Sequence, residues 1–297
     1  MIAIDLGSNT IRFIEYDGVH WGKSFEKIVK TAESLNVTNQ IGPHALKRII
    51  DAIREAKSKL EFSGQDTVGY TTAAMRLASN SKEVLETIAT ETGIHFTIID
   101  GEKEASLTLR AVQERLMDLG ISPESFLLAD IGGGSTELIR YAKGTVHSVS
   151  LNTGIVTLSE SADSSSGLKE KIELFAEKVR EILNGSTSLQ LVLTAGTPTT
   201  IAAYLLGMDY ESYDPEKING YRLLLEECTR VYDELLTMDE ASRARYVGVG
   251  RENLIIAGIL MVTAIYTALD AKEAIIIDDG LREGIALEYF DTKCPQI

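Results

Sequence analysis

An internal repeat constrains this chain more than any other feature. Ala3-Ile4-Asp5-Leu6-Gly7-Ser8-Asn9-Thr10-Ile11-Arg12-Phe13-Ile14 aligns without a gap with Leu128-Ala129-Asp130-Ile131-Gly132-Gly133-Gly134-Ser135-Thr136-Glu137-Leu138-Ile139, at a constant offset of 125 residues. Asp meets Asp, Gly meets Gly, Thr meets Ser, and both flanks are apolar. Each copy reads as a buried strand, a turn of small residues and a returning strand, closed by a hairpin signal at Asp17-Gly18 or Lys143-Gly144. Two matched copies imply two related domains. The expectation is that the two turns face one another across a cleft.

The turn chemistry suits phosphate. Glycine lets the backbone approach a ligand closely. Successive N–H groups form an anion-binding nest, to which Ser8, Asn9, Thr10 and Ser135 add side-chain donors. The Asp ending each first strand, Asp5 or Asp130, would by itself repel phosphate. The pair makes sense if a divalent cation lies between them and the anion.

The rest of the chain alternates strands with helices, which argues an α/β fold. A third strand is expected through Val19 and Trp21. Helical spacing runs over 43–60, 82–92 and 102–119, with Gly93 and Gly120 in helix-ending positions. Short strands are expected at 68–72 and 94–100. After the second hairpin come a helix at 167–184, a strand at 189–194, a helix at 198–206, several helices between 221 and 269, a strand at 274–277 and a helix after Gly280. Thr197-Pro198 reads as an N-cap followed by proline in the first helical position, and equally as a phosphate site at a helix N-terminus.

Composition narrows the partners. The chain has 297 residues, 29 Lys and Arg against 44 Asp and Glu, and a net charge of −15. A general nucleic-acid binder would be basic. An acidic protein can still hold an anion through a local basic pocket, N–H donors or a bridging metal. No apolar run reaches the roughly 18 residues of a membrane span. An acid interrupts the N-terminal apolar run at Asp5 and no basic leader precedes it, so a cytoplasmic protein is expected, with neither membrane nor nucleic acid as partner. Cys228 and Cys294 read as ordinary thiols. Lys23, Lys27 and Lys30 could guide an anion, although a solvated face is the commoner reading of such a stretch.

Six motifs then carry a family resemblance. They are Asp5-Leu6-Gly7-Ser8-Asn9-Thr10, Thr72-Ala73-Ala74-Met75-Arg76-Leu77-Ala78-Ser79-Asn80, Gly101-Glu102-Lys103-Glu104-Ala105, Asp130 to Glu137, Thr194-Ala195-Gly196-Thr197, and Gly280-Leu281-Arg282-Glu283-Gly284. In this order the chain resembles the exopolyphosphatase and guanosine pentaphosphate phosphohydrolase family. That family lies within the actin, sugar-kinase and heat-shock-chaperone ATPase superfamily. The resemblance implies two actin-like (ribonuclease H-like) domains, taken as 1–120 and 121–297, with the last helix after about 283 able to pack back on the first.

By that resemblance Glu104 is the base that orients or deprotonates the attacking water. Asp130 and Glu137 would hold Mg²⁺, or alternatively Mn²⁺, with Asp5 contributing through water. Ser8, Asn9, Thr10, Gly132, Gly133, Gly134, Ser135, Gly196 and Thr197 would hold phosphates, and Arg76 would bind a phosphate or position the loop that does. Arg12 stands where the second copy has Glu137, and could pair with an acid or reach phosphate. The implied activity is Mg-dependent removal of terminal phosphate from inorganic polyphosphate. Hydrolysis of guanosine pentaphosphate is the alternative, phosphotransfer to a sugar a third, and a non-catalytic sensor of polyphosphate or alarmone the reading of another class. A homodimer is a candidate assembly. Three residues depart from the family pattern: Ala195 replaces a glycine, Asn219 a histidine and Thr10 a serine. The chain also resembles the short members, which lack an extra helical C-terminal region.

Overall fold

Two short hydrogen-bonded hairpins organise two sheets, and each sheet has its own core. The protein, seen in a computed structural model, is described over residues 1–122, 124–161, 165–183 and 189–293. It divides into two compact units, Met1–Ala111 with Gly280–Ile297, and Val112–Asp279.

In the first unit, β1 (Ile2–Leu6), β2 (Thr10–Tyr16) and β3 (Trp21–Ile28) form an antiparallel meander. Helices α1 (Leu35–Thr38) and α2 (Pro43–Lys59) lead to β4 (Thr67–Thr71). Then α3 (Ala73–Leu77) and α4 (Ser81–Thr92) lead to β5 (Phe96–Ile98) and α5 (Gly101–Asp118). The sheet order is β3-β2-β1-β4-β5, with β1, β4 and β5 parallel. Ile2, Ala3, Ile4 and Leu6 are all fully buried, as a central strand covered on both faces requires. Ile2, Ile4 and Leu6 each contribute about 1.5–3 kcal/mol by leaving water.

The second unit repeats the plan. Strands β6 (Ser125–Ile131), β7 (Thr136–Ala142) and β8 (Thr145–Leu151) form the meander. Helices α6 (Ile155–Glu160) and α7 (Ser165–Leu183) precede β9 (Gln190–Thr194) and α8 (Gly196–Leu205). There follow α9 (Pro215–Ile218), β10 (Tyr221–Leu224), α10 (Leu225–Thr237), α11 (Glu240–Val247), α12 (Leu254–Leu269) and β11 (Glu273–Ile276). The order β10-β11-β9-β6-β7-β8 contains the first unit's order, with β10 added as an antiparallel edge. Helix α12 is apolar on nearly every face because it runs through this core, where Ile255, Ile259, Val262, Ile265 and Leu269 are buried. No helix among the described residues is long and apolar enough to cross a membrane.

The last helix, α13 (Leu281–Lys293), belongs to the first unit, where Leu281, Ile285 and Ala286 pack with Met1, Ala3, Ile14 and Leu107. The Gly280 to Gly284 motif builds this junction. Gly280 N–H donates to Glu283 Oε2 at 2.9 Å, the return half of a capping box. Gly284 must lack a side chain, since a Cβ there would lie 2.1 Å from the Leu107 carbonyl oxygen.

The α/β expectation holds, with local differences. Residues 221–224, read as the start of a helical region, form edge strand β10. Strand β8 carried no apolar alternation in the sequence because most of it is exposed. Cys228 is a free, buried thiol, pushed up to about 12 chiefly by burial. Cys294 lies outside the described residues.

Candidate active site

The two turns share one backbone scheme. In the first, Gly7 N–H donates to Thr10 O at 2.9 Å. A following segment straps it: Val29 and Lys30 N–H both donate to Asn9 O, at 2.8 and 2.9 Å, and Ala32 N–H donates to Ser8 O at 2.8 Å. In the second, Gly132 N–H donates to Ser135 O at 3.0 Å. Its strap is Ile155 to Gly132 O at 3.0 Å, with Val156 and Thr157 to Gly133 O at 2.8 and 3.3 Å. The carbonyls of Ser8, Asn9 and Thr10 are consumed in the first turn, and those of Gly132, Gly133 and Ser135 in the second. The N–H groups of Ser8, Asn9, Gly133 and Gly134 have no backbone acceptor among the described residues. Unspent donors clustered in a turn form an anion nest. Gly154, which sequence reasoning missed, makes the second strap possible. A Cβ there would lie 2.5 Å from Gly133 carbonyl carbon and oxygen.

Side chains beside the turns differ. Cross-strand register sets Asp5 opposite Arg12, and Arg12 opposite Glu26. Partners directly opposite share a face of the sheet. Arg12 Nε donates to Glu26 Oε2 at 2.8 Å, so this arginine is engaged within its own sheet. The second unit sets Asp130 opposite Glu137, and Glu137 opposite Ser150. Glu137 is 1% exposed and accepts from Ser150 Oγ at 2.7 Å. One row alternates charge. The other holds two carboxylates and an alcohol. Hard oxygen donors of this kind fit Mg²⁺, which takes one or two carboxylates and completes its shell with phosphate and water. Among the described residues no group of three or more His, Cys, Asp or Glu side chains gathers into an all-protein cage.

Glu104 sits in the first unit. Asp100 caps α5 by accepting Lys103 N–H at 2.8 Å, and Glu104 follows one position later. Of Glu102, Lys103 and Glu104, only Glu104 is buried, at 8% exposure. Arg76, from α3, donates through Nη1 to Glu104 Oε2 and to the Ile99 carbonyl, both at 2.8 Å. The structure therefore brings Arg76 to Glu104, where it fixes the carboxylate.

At the end of β9 the chain turns sharply into α8. Ala195 has φ +76° with extended ψ, a region that glycine occupies without strain and alanine does not. That turn starts the helix at Gly196, so Thr197 lies inside it and makes no cap hydrogen bond. Instead Thr197 is buried against Gly258 of α12, where a Cβ would meet Thr197 Oγ1 at 2.3 Å.

Comparison with known proteins decides the family. The description of the Ppx/GppA phosphatase family matches residues 23–293. The chain belongs to the Ppx/GppA phosphatase family. It is accordingly an enzyme, a phosphoanhydride hydrolase, with the family's two-domain actin-like ATPase fold. Exopolyphosphatase 1 of Mycobacterium leprae is 27% identical over 316 aligned residues, covering 98% of this chain and 89% of that protein. The crystal structure of the Aquifex aeolicus Ppx/GppA family member has a TM-score of 0.75 at 25% identity, covering 98% of this chain and 97% of that one. An exopolyphosphatase structure from Cytophaga hutchinsonii shares the fold at a TM-score of 0.85 and 23% identity, with 97% of both chains covered.

Within this Ppx/GppA chain one further cluster escaped sequence reasoning. Arg115 grips Asp279 through two bonds, Nε to Oδ2 at 2.7 Å and Nη2 to Oδ1 at 3.2 Å. Burial opposes the Arg115 charge most strongly, yet Asp279, with Glu216 and Asp118, holds the guanidinium above its ordinary value. Thr194 Oγ1 donates to Asp279 O at 2.9 Å, and Asp278 N–H to Asn219 Oδ1 at 2.7 Å. Asn219, in the family's histidine position, thus anchors the backbone just before Gly280. The partners are 59 to 164 residues apart in sequence, so no local signal could show them.

Proposed function

We propose that this chain removes terminal phosphate from inorganic polyphosphate with Mg²⁺ as cofactor. The observation that carries the reading is the matched pair of turns, with N–H donors unspent beside one row that contains a cation and one that holds only acids and an alcohol. In this reading Ser8, Asn9 and Thr10 hold phosphoryl oxygens at one turn, and Gly132, Gly133, Gly134 and Ser135 hold them at the other. Gly196 and Thr197 shape a further phosphate contact at the start of α8. Asp130 and Glu137 would hold Mg²⁺, with Asp5 contributing. Bound there, Mg²⁺ would neutralise charge on the phosphate oxygens as it develops. Arg76 holds the Glu104 carboxylate in place through its 2.8 Å contact. Glu104 takes the proton from the attacking water, which displaces the remaining chain in line.

The relatives support the substrate class, since the M. leprae protein carries the name exopolyphosphatase 1. The test is phosphate release by the purified chain from polyphosphates of several lengths, guanosine pentaphosphate and ATP, each with and without Mg²⁺. Mg-dependent release from polyphosphate is expected. Release from guanosine pentaphosphate alone would move the assignment to the alarmone. Tight binding of either without release would make the protein a sensor.

A further inference from the structure

The arginines named around the first turn are occupied. Arg12 is bonded to Glu26, and Arg76 to Glu104. Lys27 pairs with Glu55. We infer that Lys30, at the centre of the strap on the first turn, is a phosphate-binding residue of this site. The inference rests on the proposed phosphoanhydride substrate and names a residue that neither the motifs nor the family match assigned.

Three observations carry it. Lys30 is fixed by its backbone to the turn itself, through its N–H to Asn9 O at 2.9 Å. Its strap neighbours Val29, Thr31 and Ala32 are buried, while Lys30 retains partial exposure. Its ammonium has no ion pair or hydrogen bond among the described residues, in a chain whose acids outnumber its bases.

The strap is also held in a costly shape. Lys30 has φ +48°, a left-handed conformation that costs an L-residue roughly 1–2 kcal/mol. Thr31 is fully buried with its hydroxyl unpartnered. Arg48 fixes the strap from behind, donating to Val29 O at 2.8 Å and Lys30 O at 3.3 Å, and is itself tied to Glu33 at 2.9 Å. Strain that surrounding bonds over-determine is the mark of a placed residue. The second strap has Ile155 at the corresponding position, 125 residues on, so the cation is particular to the first turn. An ammonium there acts as a point charge for phosphoryl oxygens.

The test compares Lys30→Asn, Lys30→Arg and, as a control, Lys23→Ala, an exposed lysine of the same stretch. Asparagine tolerates the left-handed conformation, so Lys30→Asn removes charge without straining the strap. With tripolyphosphate as substrate, Lys30→Asn should raise KM about ten-fold or more, the loss of one charge-assisted contact, with kcat within about two-fold. Lys30→Arg should restore KM, and Lys23→Ala should match wild type. Thermal melts confirm that each variant is folded. An unchanged KM in Lys30→Asn, or an equal rise in Lys23→Ala, overturns the inference. If the wild type releases no phosphate, the proposed function fails by itself. Calorimetric binding of tripolyphosphate then decides Lys30: weaker binding by Lys30→Asn sustains it, and equal or absent binding ends it.

Discussion

The two hairpins have the same backbone scheme and different electrostatics. Each turn closes with a glycine N–H to a carbonyl three residues on, and each is strapped by a segment about 22 residues further along. Beside the first turn the cross-strand row is Asp5, Arg12, Glu26, a cation between two anions. Beside the second it is Asp130, Glu137, Ser150, two anions and no cation. The first strap carries Lys30, while the second needs Gly154 and presents Ile155. A duplicated element has kept the part that makes an anion nest, the accounting of N–H and C=O groups. It has changed the part that decides what accompanies the anion. Under the proposed function, the first copy would meet phosphate with cations of its own chain, and the second through an added Mg²⁺.

The largest effect should come from outside both copies. Glu104→Gln keeps the shape of the side chain and removes the proposed base. Phosphate release should fall by about two to four orders of magnitude, while tripolyphosphate binding persists. Near-normal release would place the chemistry elsewhere.

Next is the close approach that separates the straps. Gly154→Ala forces a Cβ to within 2.5 Å of Gly133 backbone atoms. Overpacking of this kind costs about 1–3 kcal/mol, and here it also displaces the nest. A lower melting temperature and a clearly reduced kcat are expected. At the matching position of the first strap, Val29→Ala only trims a buried side chain. It should lower the melting temperature and leave kcat nearly intact. Similar kcat losses in both variants would erase the distinction between the straps.

The smallest effect is expected from Arg12→Gln. Its ion pair with Glu26 is partly exposed, at 23% and 27% of the two side chains, so the loss should be about 1 kcal/mol or less by chemical denaturation. KM should rise only a few-fold, because Arg12 is already committed within its own row. A KM rise larger than that of Lys30→Asn would make Arg12 the phosphate ligand of the first turn.

Much of this was legible in the sequence because it is local. The repeat is ungapped, the apolar strands alternate or run together, and glycine marks the helix ends at 93 and 120. The α/β class and both hairpins followed from those signals. What stayed hidden depends on partners distant in sequence or on backbone shape. Strand β8 faces largely outward and so lacks the apolar alternation that reveals a strand. Strand β10 is four residues long and runs straight into α10, so its short apolar stretch reads as helix. Thr197 looked like a helix cap, but the positive φ of Ala195 starts the helix earlier and buries the threonine against Gly258. Arg76 read as binding a phosphate or positioning the loop that does, and its pairing with Glu104, 28 residues on, appears only in the fold. The strap on each turn left no motif, because it is made of backbone bonds.

The most direct measurement is a Mg²⁺ titration of phosphate release from tripolyphosphate by the wild type, Asp5→Asn and Asp130→Asn. These two aspartates occupy the same position in the two copies, so the comparison isolates the rows around them. Asp130→Asn should raise the half-saturating Mg²⁺ concentration about ten-fold or more, the loss of a direct charged ligand, and Asp5→Asn should shift it by a few-fold at most. An equal shift in both variants, or a larger one in Asp5→Asn, would contradict the assignment of the metal to the second hairpin.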